Sequence, residues 1–143
     1  MSKYRVIKTE FKNGESLVKA LSDMGLPFEK AASLRENGLT LETHWNSFGG
    51  VNKQVAIGMS RGSLRTHGLQ VMDGIGFTWS GQGYDVVIDH YDEEKSQVTA
   101  MLAQLKQRYG LHEVNRLARQ KGYTVRESAS AADGTIRLIL VKR

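Results

Sequence analysis

The acidic residues Asp85, Asp89, Asp92, Glu93 and Glu94 are the densest set of potential ligands or acid–base groups in the chain. A calcium loop needs oxygen ligands at alternating positions around a central glycine, and that spacing is missing. Acids just ahead of a helix are better explained by the positive end of its macrodipole. His44, His67, His90 and His112 lie 22 or 23 residues apart, so no i, i+4 pair exists to chelate zinc. Only His90 has acidic neighbours, and with Asp89 and Asp92 it forms the one clustered titratable set that a small hydrolase would have. No G-x-S-x-G element supports a serine nucleophile. The glycines of Gly74–Gly76 and Gly81–Gly83 match neither phosphate-binding pattern, and Gly81 and Gly83, between two alternating segments, read as hairpin glycines. These residues point to no catalytic group, no metal and no cofactor.

The basic residues are more informative. Lys106, Arg108, Arg116, Arg119, Lys121, Arg126, Arg137, Lys142 and Arg143 face only Glu113, Glu127 and Asp133 across the last 38 positions, so nine minus three gives +6. The first 105 residues hold 11 basic and 12 acidic side chains, a net of −1. With the whole formal charge of +5 so segregated and a pI near 9.6, polyanions are the partner class favoured electrostatically. Six of the nine are arginines, whose planar forks grip phosphates and stack on bases. Tyr109 and Tyr123 lie among them as possible stacking platforms.

The elements that must position these residues can be read from periodicity. Lys3 to Phe11 is rich in strand formers, and Asn13 is placed to cap a helix whose apolar face is Leu17, Val18, Leu21 and Met24. Gly25 and Pro27 end that helix. Leu39 to Trp45 alternates like a strand, Lys53 to Met59 suggests another, and the polar Ser60 to Gly68 reads as an exposed loop. Ile75 to Trp79 and Tyr84 to Ile88 alternate on either side of a glycine-rich connection. From Lys95 a stripe of Val98, Met101, Leu102, Leu105 and Tyr109 runs on through Leu111, Val114, Leu117 and Ala118 to Gly122, which favours one helix over two. On this helix Arg108, Arg116 and Arg119 avoid the stripe and are expected to project outward. Tyr123 to Ser128 and Thr135 to Lys142 complete a hairpin turned near Asp133-Gly134.

The order β-α-β-β-β-β-α-β-β predicts an α+β fold, a mainly antiparallel sheet with two helices packed on one face. At 143 residues, 1–143 forms a single domain. There are no cysteines for disulfides or thiolate metal sites, and no apolar run approaches a membrane span. Without an apolar leader, the expected setting is the cytoplasm, including the host cytoplasm of an infected bacterium.

Ile7 to Glu10, Leu17 to Leu21 and Met24-Gly25 resemble the start of an uncharacterised reading-frame family of plastids and cyanobacteria, a domain of unknown function that also occurs in bacteria and phages. The similarity resumes over Ile75 to Trp79 and Tyr84-Asp85, and runs from Gln107 through Gly122-Tyr123 to Asp133–Leu138. Residues 27–73 depart from the pattern. The resemblance implies a shared fold and brings no catalytic residue, cofactor or substrate. The expected function is binding of RNA or another single-stranded nucleic acid with little sequence preference. Phosphates would be held by the nine basic residues of the last helix and hairpin, with Tyr109 and Tyr123 stacking on bases. A protein–protein adaptor binding an acidic partner is the alternative, and a small hydrolase the third.

Overall fold

The computed structural model describes residues 4–43, 52–130 and 136–142, of which 127–130 and 136–138 are described by their backbone alone. His44, Trp45, the turn at Asp133-Gly134 and Arg143 lie outside the described residues. The elements are β1 (Tyr4–Phe11), α1 (Gly14–Asp23), β2 (Glu29–Lys30), β3 (Leu39–Leu41), β4 (Lys53–Val55), β5 (Ile57–Met59), α2 (Arg61–Thr66), β6 (Ile75–Trp79), β7 (Tyr84–Asp89), α3 (Ser96–Gln120), β8 (Tyr123–Ser130) and β9 (Ile136–Lys142). Five strands make an antiparallel sheet in the order β1-β7-β6-β5-β2, while β3–β4 and β8–β9 are separate two-stranded ribbons.

Alternation decides which face holds the main core. Ile75 and Phe77 of β6, Tyr84, Val86 and Ile88 of β7, and Ile57 and Met59 of β5 point to one side. They meet Leu17 and Leu21 of α1 and Val98, Met101, Leu105 and Tyr109 of α3, so both long helices pack on the same face as predicted. Fully burying a leucine of this kind contributes roughly 2 kcal/mol. The opposite face carries a smaller cluster of Leu41, Val55 and Val87, flanked by Tyr4 and Leu39. The β3–β4 ribbon approaches closely there because β6 has a glycine: a Cβ on Gly76 would lie 2.8 Å from Val55 Cγ1.

Helix α1 begins where the sequence placed it, with Asn13 Oδ1 accepting from the Ser16 amide at 2.9 Å. Helix α3 is one continuous 25-residue helix that passes through Gly110. No described helix is long and apolar enough to cross a membrane.

Two expectations about these connecting segments are corrected. Ser60 to Gly68 is not an open loop: it contains α2, capped by Ser60 and anchored by the fully buried Leu64. Nor do the acids ahead of α3 occupy its first turn, which contains none. Asp92, fully buried, instead accepts backbone hydrogen bonds from Met72 at 2.8 Å and Asp73 at 3.2 Å. Lys95 Nζ pairs with the same carboxylate at 2.9 Å. Asp92 thus fastens the chain leaving α2 to the chain entering α3. Replacing Asp92 with Ala leaves the buried Asp73 amide and the half-buried Met72 amide without their acceptor, while Lys95 keeps the Gln70 carbonyl, and is expected to destabilise the fold by about 2 kcal/mol in chemical denaturation. A loss below 0.5 kcal/mol would show that the brace is dispensable.

Candidate nucleic-acid interface

The C-terminal charge is carried by the second half of α3 and by the ribbon that follows it. The apolar stripe Val98, Met101, Leu105 and Tyr109 ends at Tyr109, and the same line of the helix becomes polar at His112, Glu113 and Arg116. His112 and Glu113 face α1 through polar contacts. His112 Nε2 lies 2.6 Å from Asp23 Oδ2, and Glu113 Oε1 accepts from Ser16 Oγ at 2.7 Å. The buried apolar residue of the second half, Ala118, lies about 140° around the helix from Leu105. Residues Leu111, Val114, Leu117 and Ala118 therefore do not continue the first stripe. They form another face, on which Val114 and Leu117 are left exposed.

Tyr109 is a core residue. Its ring packs edge-on against Phe11 with centroids 4.9 Å apart. Its hydroxyl oxygen accepts from the Lys12 amide at 2.8 Å and the Asn13 amide at 3.0 Å. With only 8% of its surface accessible, its ring is not available to stack on a base. Arg116 is partly exposed and paired within α3, with Nε and Nη2 donating to Glu113 at 3.0 and 2.8 Å, and it lines a hollow shared with α1. That paired hydrogen bond raises the Arg116 guanidinium above its usual range. It also holds the Glu113 carboxyl below its ordinary value, with the Ser16 hydroxyl assisting and burial opposing.

Two hollows join these elements. One, of about 500 Å³, is lined by Glu15, Ser16 and Lys19 of α1 and by His112, Asn115, Arg116 and Arg119 of α3. The other, of about 390 Å³, is lined by Asn115 and Arg119 with Tyr123, Thr124 and Val125 of β8. Asn115 and Arg119 line both, so the two hollows adjoin along α3 and together make the α1–α3–β8 groove considered below. Its basic side chains are Lys19, Arg116 and Arg119, against Glu15 and Glu113.

The remaining basic residues surround this groove or lie apart from it. Lys121 caps α3 and is exposed, and Lys142 pairs in register with Tyr123. Exposed Arg126 pairs with Ile139 further along the ribbon. Arg137 pairs with Ala129 through its backbone. Lys106 lines a separate hollow beside Lys8 and Glu10 of β1, and half-buried Arg108 does not line the groove. Sequence reasoning missed Lys19. Its one signal was its position i+3 from Ser16 and i+4 from Glu15 on α1, which says nothing about α1 meeting α3.

The set His90, Asp89 and Asp92 is built into the fold. His90 packs on the Tyr91 ring, Asp89 accepts from the Tyr91 amide, and Asp92 serves the brace. Burial, reinforced by Asp73, Asp89 and Asp92, pushes the Tyr4 phenol above its usual range. Among the described residues, no group of three or more His, Asp or Glu is arranged to hold a metal ion.

Glu113 yields a pH prediction. Its carboxyl is depressed in the folded chain, so its stabilisation is complete above the ordinary carboxylate value and disappears as pH falls through the folded one. Wild-type stability should therefore decline more steeply below about pH 4.5 than that of Glu113→Gln, followed by thermal unfolding from pH 7 to pH 3. Parallel curves would remove Glu113 as the clasp between α1 and α3.

No curated protein and no solved structure matches this chain. A family model described as "Protein of unknown function (DUF1257)" matches residues 20–139. The matched span runs through residues 27–73, where the sequence departs from the resemblance. With the resemblance at both ends and this match through the middle, the chain belongs to the DUF1257 family.

Proposed function

We propose that this protein binds nucleic acid, RNA or another single strand, along the groove formed by α1, α3 and the base of β8. One observation carries the reading: two hollows share Asn115 and Arg119, which aligns Lys19, Arg116, Arg119 and Tyr123 on a single path. A flexible, single-stranded polyanion suits such a path. Phosphates would meet Lys19 and Arg119, which reach the groove from different helices. Half-buried Tyr123 lines the groove at the ribbon end and supplies an aromatic surface for a base. Arg116 plays a smaller part because Glu113 already compensates its charge. Lys121 and Lys142 extend the positive field around the ribbon end, steering a strand inward rather than reading its sequence.

The groove contains no helix presented for insertion into a duplex major groove, since α3 is covered by α1 on one side and β8 on another. Backbone contacts dominate this mode of binding, so affinity should depend little on sequence and strongly on salt.

The test is fluorescence anisotropy with a labelled oligouridine from 50 to 300 mM salt. With about three phosphates engaged, log affinity should fall against log salt with a slope near −2. Lys19→Glu/Arg119→Glu should weaken binding at least tenfold, and Arg116→Gln by less than threefold. Salt-independent binding, a double variant equal to wild type, or no binding at 50 mM salt would each refute the proposal.

A further inference from the structure

Of the seven large apolar side chains left exposed among the described residues, five belong to the C-terminal part: Val114, Leu117, Ile139, Leu140 and Val141. Three are consecutive in β9, at 49%, 54% and 38% exposure. Successive residues of a strand point to opposite faces, so β9 presents apolar side chains on both. That pattern belongs to a strand with neighbours, covered on both sides. Yet the β8–β9 ribbon has only two strands, and no described element pairs with the outer edge of β9. Alternate N–H and C=O groups along that edge point away from β8.

The two strands differ. β8 lies against α3, with Tyr123 and Val125 half-buried and the intervening Thr124 and Arg126 exposed, a clean alternation of inner and outer residues. β9 lacks that alternation over Ile139 to Val141. It also lacks the usual protections of an open edge at its centre, where neither a charge nor a proline interrupts the apolar run.

We propose that the outer edge of β9 receives an extended segment of another protein, apolar at its centre and acidic at its ends, as a third strand of the ribbon. Charge selects this occupant. Positions 136–143 contain Arg137, Lys142 and Arg143 and no acid, and Arg126 stands across from Ile139. A second copy paired antiparallel about the centre of Ile139 to Leu140 would set Arg137 against Lys142 of its mate on both sides. Like charges directly opposite are destabilising. Acidic flanks turn the same positions into attractive pairs, while apolar central residues cover Ile139 and Val141. Nucleic acid gains nothing from the exposed apolar run and does not satisfy a strand edge. This surface is therefore separate from the α1–α3 groove, and the two proposals stand or fall independently.

The probe is the capped peptide EEVTVTVEE, titrated into the isotope-labelled full chain while the amide resonances of Ile139 to Lys142 are followed by NMR. Those amides should shift saturably. Replacing the four glutamates with lysines should weaken binding at least tenfold, and so should Ile139→Thr/Val141→Thr, whose exposed positions leave folding intact by the same spectrum. A peptide N-methylated at alternate residues keeps its charge and side chains but cannot pair as a strand, so it should not bind. Equal binding of the N-methylated peptide, or no shift up to millimolar peptide, overturns the proposal. So does a concentration-dependent dimer in sedimentation velocity that Ile139→Thr/Val141→Thr dissolves, because a second copy then covers the edge. Displacement of the peptide by oligouridine would likewise reassign β9 to nucleic acid.

Discussion

The C-terminal half of this fold depends on the position of one tyrosine hydroxyl. Tyr109 ends the apolar stripe of α3, and its oxygen accepts two backbone amides, those of Lys12 and Asn13, just where β1 gives way to α1. Its ring meets Phe11, itself part of the core under the sheet. This one side chain therefore fixes the start of α1, the end of β1 and the midpoint of α3 relative to one another. The remaining eleven residues of α3 rise roughly 16 Å beyond it, and the ribbon follows from their end. Without the anchor, only the polar contacts of His112 and Glu113 would hold the second half of the helix against α1.

Beyond Tyr109 the helix changes its means of attachment. The first half is held by area, through Val98, Met101 and Leu105 buried against the sheet. The second half meets α1 through directed polar contacts, His112 with Asp23 and Glu113 with Ser16, and Arg116 braces Glu113 from within α3. Apolar packing closes a gap to van der Waals contact, whereas long polar side chains can hold two helices together with space left beside them. The 500 Å³ hollow lies among these polar side chains. The groove is thus a consequence of the switch from apolar to polar residues along one face of α3.

Legibility in the sequence followed the range of the interactions involved. Helix α1 was readable from its Asn13 cap, its apolar face and its glycine stop, all local signals. So was the continuity of α3, because the helix tolerates Gly110 where a Cβ would meet nothing. The strands β2 to β5 are two or three residues long and owe their form to pairing with distant partners. Periodicity has too few residues to register in such segments. Ser60 and the single buried Leu64 likewise make α2 from a segment whose composition reads as loop. The position of Arg116 beside α1 was illegible for a related reason: it follows Tyr109 by seven residues, two helical turns on the same line, and that line meets α1 through tertiary contacts.

The segregated charge acquires its meaning from how the rest of the molecule handles its own. In the sheet and its loops, acids and bases engage one another: Lys8 with Asp85, Arg5 with Glu93, and Lys95 with Asp92. Four of the twelve acids in the first 105 residues, Asp73, Asp85, Asp89 and Asp92, are buried. Opposite charges held within a few ångströms largely cancel at a distance, and a Debye length near 8 Å screens what remains. The body therefore contributes little field of either sign around the second half of α3 and the ribbon. There, nine cations face three acids, and Glu113 is already committed to Arg116. The field that a partner meets is set locally, by a surface that combines positive charge with exposed apolar strand. Those two properties call for different complements, which is why the polar groove and the apolar edge are assigned to different partners.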